Sequence, residues 1–169
     1  AESGKSTLFS AFTKMLGTYA ETSSPESFAP RASAGGAPPE LARLAGNRFV
    51  YVPEAGGLRL DASRIKAIVG GDPIVARLLH RNPVTFQPRF KLAFTANELA
   101  VIPDDDVGLR RRLLPLRVEV GVTQRDTSLK ATLEDTEEGR AALLAFAVDG
   151  ARRWLADGGD LAALRPPLQ

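Results

Sequence analysis

Four short stretches carry residue types from which phosphate chemistry is built. The first, Ala1-Glu2-Ser3-Gly4-Lys5-Ser6-Thr7, reads as the closing half of the phosphate-cradling pattern G-x-x-x-x-G-K-[ST]. Gly4 allows a tight turn whose N–H groups, from Ser3 through Thr7, can face phosphate oxygens. Lys5 can set its ammonium on the β- and γ-phosphates, and Ser6 can put its hydroxyl on Mg²⁺. The second is Glu54, after the apolar run Arg48–Val52; a carboxylate there can hold Mg²⁺ through water or act as general base on an attacking water. The third is Asn97, after Phe90–Thr95, whose amide can hydrogen-bond a γ-phosphate or the lytic water. The fourth is Arg110-Arg111-Arg112, where an arginine finger can stabilise transition-state charge on a neighbouring subunit's phosphate. Plainer alternatives stand beside each: a chance helix start, a strand-end acid, an Asn used for its turn preference, a solvated basic face.

The elements that must position these residues follow from periodicity. Leu8, Phe9, Phe12 and Leu16 recur at helical spacing, so the turn runs into a helix N-terminus, where the dipole favours anions, and Gly17 ends it. Thr18 to Pro39 is rich in Ser, Ala, Gly and Pro and reads as a surface loop. Pro39–Leu44 predicts a short helix, and Arg48–Val52 a buried strand. Asp61 is a candidate N-cap for a helix over Ala62–Val69 with Ile65, Ile68 and Val69 inward. Ile74–Leu79 and Val84–Phe86 predict a hairpin, Phe90–Thr95 a strand, and Leu113–Val120 a further edge strand despite Pro115. Leu129 and Leu133 mark one helix. Ala141, Leu144, Ala145, Val148, Ala151 and Leu155 mark the inward stripe of a longer one, stopped by Gly158-Gly159 and packed on the core through Trp154.

The expected fold is therefore α/β, a P-loop NTPase core with a parallel sheet over residues 1–120 and a helical C-terminal part over 121–169. Its first strand and the opening Gly of the phosphate loop are expected upstream of Ala1. The hairpin supplies the expected nucleic-acid contacts: Lys66 ahead of it, Arg77 and Arg89 on its flanks, and His80 and Arg81 at its tip. A solvated surface hairpin is the alternative.

Composition narrows the classes. Seventeen of the 22 basic residues are Arg, a side chain suited to phosphate through its planar fork, although high Arg and Ala also follow from a GC-rich genome. With no cysteine and one histidine, disulfide scaffolds, thiolate metal sites and His-based metal sites are excluded. No apolar run has the length of a membrane span, and no signal peptide is visible. A cytoplasmic location is expected.

In their order and spacing these landmarks resemble the superfamily 3 helicases, most closely the ATPase domain of phage and plasmid primase-helicases related to the poxvirus primase-helicase. The resemblance rests on Gly4-Lys5-Ser6-Thr7, the strand ending at Glu54, Lys66-Ala-Ile-Val-Gly-Gly-Asp72-Pro-Ile-Val-Ala-Arg77, Phe94-Thr-Ala-Asn97, Asp106-Val-Gly-Leu-Arg-Arg111-Arg112-Leu and Val148-Asp149-Gly150-Ala-Arg-Arg-Trp154-Leu. It implies an AAA+-like ATPase using ATP or another NTP with Mg²⁺, acting on single-stranded or forked DNA as a ring, with a hexamer expected from the family. It also implies an upstream primase domain, a sensor role for Asn97, and a finger at Arg111 or Arg112. Pro53 stands where many related NTPases carry a second acid. Two other readings remain: a P-loop phosphotransferase on a small molecule, and a catalytically impaired remnant that binds DNA or partner subunits.

Overall fold

The computed structural model describes residues 3–30, 38–78, 81–98, 106–118 and 121–160. They fall into two compact units, one formed by Leu16–Arg112, the other by Ala1–Met15 with Leu113–Gln169. His80, Asp104 and Asp105 lie outside the described residues.

The first unit is built on a parallel sheet of β1 (Ala20–Thr22), β2 (Phe49–Val52) and β5 (Lys91–Phe94), in the order β1-β2-β5. Phe49-Val50-Tyr51-Val52 suits a central strand: aromatic and β-branched side chains cover a pleat that is buried on both faces. Val50 and Val52 are fully buried. The register sets Val50 beside Leu92 and Val52 beside Phe94. β1 lies inside what the sequence reads as a loop. Three residues are too few to show alternation, and the strand exists because its backbone pairs Ala20 with Phe49 and Thr22 with Tyr51. The same stretch then gives the core a side chain: Phe28 is fully buried and meets Phe94 edge-on at 5.5 Å between ring centroids.

α2 (Ala62–Gly70) starts as expected, with the Asp61 carboxylate accepting from Arg64 N at 3.0 Å. It ends at Gly71, whose φ of 78° belongs to the left-handed C-cap. Ile65 and Ile68 are buried, whereas Val69, expected inward, is exposed. Arg64 also fastens the preceding segment, donating to the carbonyls of Ser27 at 3.2 Å and Ala29 at 2.7 Å. The hairpin pairs β3 (Ile74–Ala76) with β4 (Val84–Phe86), Ile74 opposite Phe86. α3 (Val107–Arg110) is a single turn. Leu113 to Val118 has no regular structure, which corrects the expected strand; Pro115 has no N–H to give a ladder.

The second unit is helical. α1 (Lys5–Leu16) contributes its residues through Met15, and α4 (Leu129–Asp135) and α5 (Glu137–Ala156) form a corner. Ser10 Oγ donates to Glu134 at 2.7 Å, Lys14 pairs with Asp135, and Phe12 lies 6.4 Å from Phe146 between centroids. Thr136 caps α5 by accepting from Gly139 N at 2.9 Å. The buried row of α5 is Gly139 and Leu143, with Ala147 partly covered. The expected inward stripe is displaced from it by one residue, about 100° of helix rotation. Leu144, Val148 and Leu155 are exposed accordingly. Gly139 fits that phase: a Cβ there would lie 2.8 Å from the Thr132 carbonyl carbon, so the absence of a side chain lets α5 approach α4 closely on this face. Trp154, expected to pack the helix on the core, is 37% exposed and lies against Gly159.

Candidate functional site

The carboxyl ends of the parallel strands are where an open α/β sheet receives ligands, and Glu54 and Asn97 both sit there, after the adjacent strands β2 and β5. The ladder continues past the strands: Thr95 N donates to Val52 O at 3.0 Å and Ala55 N to Thr95 O at 2.9 Å. Buried Tyr51 and Thr95 join their hydroxyls at 3.0 Å beneath the loop. The chain after Glu54 passes close to the chain carrying Asn97; a Cβ at Gly56 would stand 3.4 Å from Glu98 N and 3.7 Å from Asn97 N. Both side chains are exposed. Glu54 has a φ of 54° and is the one non-glycine residue with positive φ among those described. A left-handed backbone costs an L residue roughly 1–2 kcal/mol. The bonds on either side of it, from Thr95 to Val52 and from Ala55 to Thr95, hold the loop in that shape.

The arginine triplet closes α3. The Asp106 carboxylate caps this turn, accepting from Leu109 N at 2.7 Å with one oxygen and from Lys66 Nζ at 2.8 Å with the other. The Lys66 hydrogen bond, then the Leu109 N–H, hold the Asp106 carboxyl below the ordinary carboxylate range. Arg112 donates from a guanidinium NH to Gly108 O at 2.9 Å, whereas Arg111, whose backbone N–H donates to Val107 O at 3.1 Å, is exposed and its guanidinium has no hydrogen bond or ion pair among the described residues. The two candidates for the finger are thus unlike: Arg112 braces the turn, and Arg111 is available to reach out. Two features have no local signal in the sequence, the Lys66–Asp106 pair and the bracing by Arg112. The α3 cap does have one, an Asp three residues ahead of the amide it accepts from.

At the hairpin, Arg77 Nε donates to Arg81 O at 2.8 Å, and Arg77, Arg81 and Arg89 are all exposed. Lys66 belongs to α2, and its ammonium is occupied by Asp106.

Ser3, Gly4, Lys5, Ser6 and Thr7 belong to the helical unit, whereas Glu54, Asn97, Arg111 and Arg112 belong to the sheet unit. Gly4 has a φ of 75° with open space where a Cβ would stand, and α1 starts directly after it with no acidic residue in its first turn. Lys5 Nζ donates to Ser3 Oγ at 3.0 Å, and Ser6 is exposed. A left-handed Gly before a helix start, with a lysine and a hydroxyl beside unblocked amides, fits a phosphate and its Mg²⁺. Among the described residues, no three His, Cys, Asp or Glu side chains gather to hold a metal by themselves, and no helix is long and apolar enough to cross a membrane.

Comparison with known proteins gives two viral relatives. The chain is 39% identical over 84 residues to "Putative helicase L207/L206" of Acanthamoeba polyphaga mimivirus, covering 49% of the chain and 9% of that protein. It is 37% identical over 109 residues to "Putative helicase 022R" of Frog virus 3 (isolate Goorha), covering 61% of the chain and 11% of that protein. The chain thus spans about a tenth of the length of these curated relatives. Residues 1–112, which include all the candidate phosphate-handling positions, match a family whose description is one of unknown function, and the chain belongs to that family, DUF5906.

Proposed function

We propose that the chain is part of an NTP-driven DNA helicase motor of the superfamily 3 type, from a phage or prophage replication protein that also carries a primase domain. The observation that carries the reading is the placement of Glu54 and Asn97 at the carboxyl ends of neighbouring parallel strands, one of them on strained backbone. Strain of this kind concentrates at functional sites. The viral relatives named as helicases support the same class.

In this reading the amides of Gly4 to Thr7 and the Lys5 ammonium hold the β- and γ-phosphate oxygens. Ser6 would offer its hydroxyl and Glu54 its carboxylate to Mg²⁺, and the ion would supply charge neutralisation on the phosphate oxygens. The Glu54 carboxylate orients the attacking water and accepts its proton, and the Asn97 amide hydrogen-bonds the same water or the γ-phosphate. Arg111 acts across a subunit boundary, so the motor is an oligomer, a ring as in the resembled family. Arg77, His80, Arg81 and Arg89 follow the DNA backbone without reading its bases.

The test is NTP hydrolysis by the intact protein with and without single-stranded DNA. Lys5→Ala and Glu54→Gln should each lower the DNA-stimulated rate by roughly 100-fold or more. A DNA-independent rate with phosphoryl transfer to a small acceptor would replace this reading by the phosphotransferase. Absence of any Lys5-dependent turnover would leave the binding remnant.

A further inference from the structure

Lys66 and Asp106 are 40 residues apart in the chain and join two elements with different tasks. From Lys66 the chain follows α2 to Gly70, turns at its cap Gly71 and enters the hairpin strand β3, and Asp106 caps the turn that leads into Arg111 and Arg112. The contact is more than an ion pair. Its carboxylate is used at both oxygens, and Lys66 is only 36% and Asp106 17% exposed at the side chain. The lysine stem crosses Gly108: a Cβ added there would stand 3.4 Å from Lys66 Cδ and 3.2 Å from Asp106 Oδ1. The carbonyl of the same Gly108 receives the Arg112 guanidinium. Lys66, Asp106, Gly108 and Arg112 therefore form one connected set around a helical turn too short to hold its own shape, since an isolated turn fixes several dihedrals for one or two hydrogen bonds.

We propose that Lys66 is a positioning residue for the arginine turn rather than a nucleic-acid contact, holding Asp106 and lying across Gly108 so that Arg111 keeps a single direction. A lysine whose ammonium already serves a carboxylate would have to surrender that bond to reach a DNA phosphate, releasing the turn that presents Arg111. The pair also gives the base of the hairpin a direct link to the arginines. Its catalytic consequence rests on the NTP-hydrolysing reading above; its structural consequence does not.

The test uses Lys66→Met, which keeps the stem over Gly108 and removes the ammonium, and Lys66→Arg, which restores a cation, in the intact protein. In hydrolysis assays with oligo-dT, Lys66→Met should lower kcat about tenfold or more. KM for the nucleotide and Kd for DNA should stay within about twofold, and the salt slope of DNA binding should not change. Lys66→Arg should recover most of kcat. Weaker DNA binding with a shallower salt slope and a normal kcat at saturating DNA would overturn the proposal. Amide hydrogen exchange at Leu109 and Arg110 is read in parallel: several-fold faster exchange in Lys66→Met supports the proposal, and unchanged exchange overturns it even where no hydrolysis is found. Wild-type protein without Lys5-dependent turnover refutes the proposed function alone, because the exchange measurement still decides what Lys66 does.

Discussion

The two units hold their shape by different means. In Leu16–Arg112 the fully or nearly fully buried side chains include Phe28, Leu41, Leu44, Val50, Val52, Ile65, Ile68 and Leu109. In the helical unit the buried apolar residues among those described are Ala11 and Leu143, while Phe146 is 67% and Leu155 65% exposed. Its helices are joined largely by polar contacts at their ends, Ser10 with Glu134, Lys14 with Asp135 and Arg140 with Glu134 O. Glu54 and Asn97 thus stand on a packed sheet that can keep an unfavourable backbone conformation. Lys5 and Ser6 stand on a helix that is held by a few side-chain contacts, one of them the exposed Lys14–Asp135 pair. Precision belongs to the first setting and adaptability to the second.

The difference is most directly broken by placing a charge in the packed unit. Val52→Asp buries a carboxylate with no cation beside it, at a cost of about 3–5 kcal/mol. Denaturant unfolding followed by near-ultraviolet circular dichroism should show loss of the sheet unit's transition. A comparably sized apolar-to-acid change at exposed Leu155 should leave the midpoint almost where it was. Equal losses at the two sites would show that the helical unit is packed as tightly as the sheet.

Gly139→Ala strikes the helical unit where two backbones approach closely. The new methyl group would lie 2.9 Å from Leu133 Cα as well as against the Thr132 carbonyl, and neither is a flexible side chain that can withdraw. A cost of about 2–3 kcal/mol is expected from overpacking. Hydrogen exchange should rise over residues 129–145 and stay unchanged at Val50 and Leu92. A spread of fast exchange into the strands would mean that the units unfold as one.

Much of this arrangement is legible in the residues. α1, β2, α2, β5, the hairpin and the two late helices announce themselves through strong period, caps and stops, and Glu54 and Asn97 through their position at strand ends. What escapes is whatever depends on a partner far along the chain. β1 has three residues and is a strand only because β2 lies beside it. Phe28 sits in a Ser- and Pro-rich stretch with no pattern, yet it fills the core against Phe94. The row buried on α5 depends on which small residue touches α4, and counting apolar positions alone puts the face one residue late, at Leu144 instead of Leu143. The Pro115 segment fails in the opposite direction, having apolar content without the donors a ladder needs.

Glu54→Gly separates stability from chemistry at the sheet end. Glycine relieves the left-handed backbone at φ 54°, a gain of roughly 1–2 kcal/mol, against about 0.5–1 kcal/mol of extra unfolded-chain freedom. The melting temperature should therefore hold or rise slightly while DNA-stimulated hydrolysis falls roughly 100-fold. A clear loss of stability would show that the glutamate side chain, and not the loop's backbone bonds, maintains the strained conformation.

The smallest effect is an acid one, and it compares the two units on equal terms, because each contains a lysine-bound aspartate with a lowered pKa. Lys66 holds down Asp106 in the sheet unit, and Lys14 holds down Asp135 in the helical unit. A carboxyl depressed in the folded state contributes stability at all pH above its ordinary value, and that contribution disappears as pH falls through the depressed value. Both contributions are therefore constant from neutrality down to the ordinary carboxylate range and vanish below it. Lys14 and Asp135 are more than half exposed at the side chain, 51% and 61%, so solvent screens the pair and Asp135→Asn should shift the melting temperature by only about 1–2 °C at pH 7. Below the depressed value, with the wild-type carboxyl protonated as well, the two proteins should melt together. A difference that persists there would mean that Asp135 supports α4 through its hydrogen-bonding shape rather than its charge, and that polar contacts join these helices by geometry in the manner of the sheet unit.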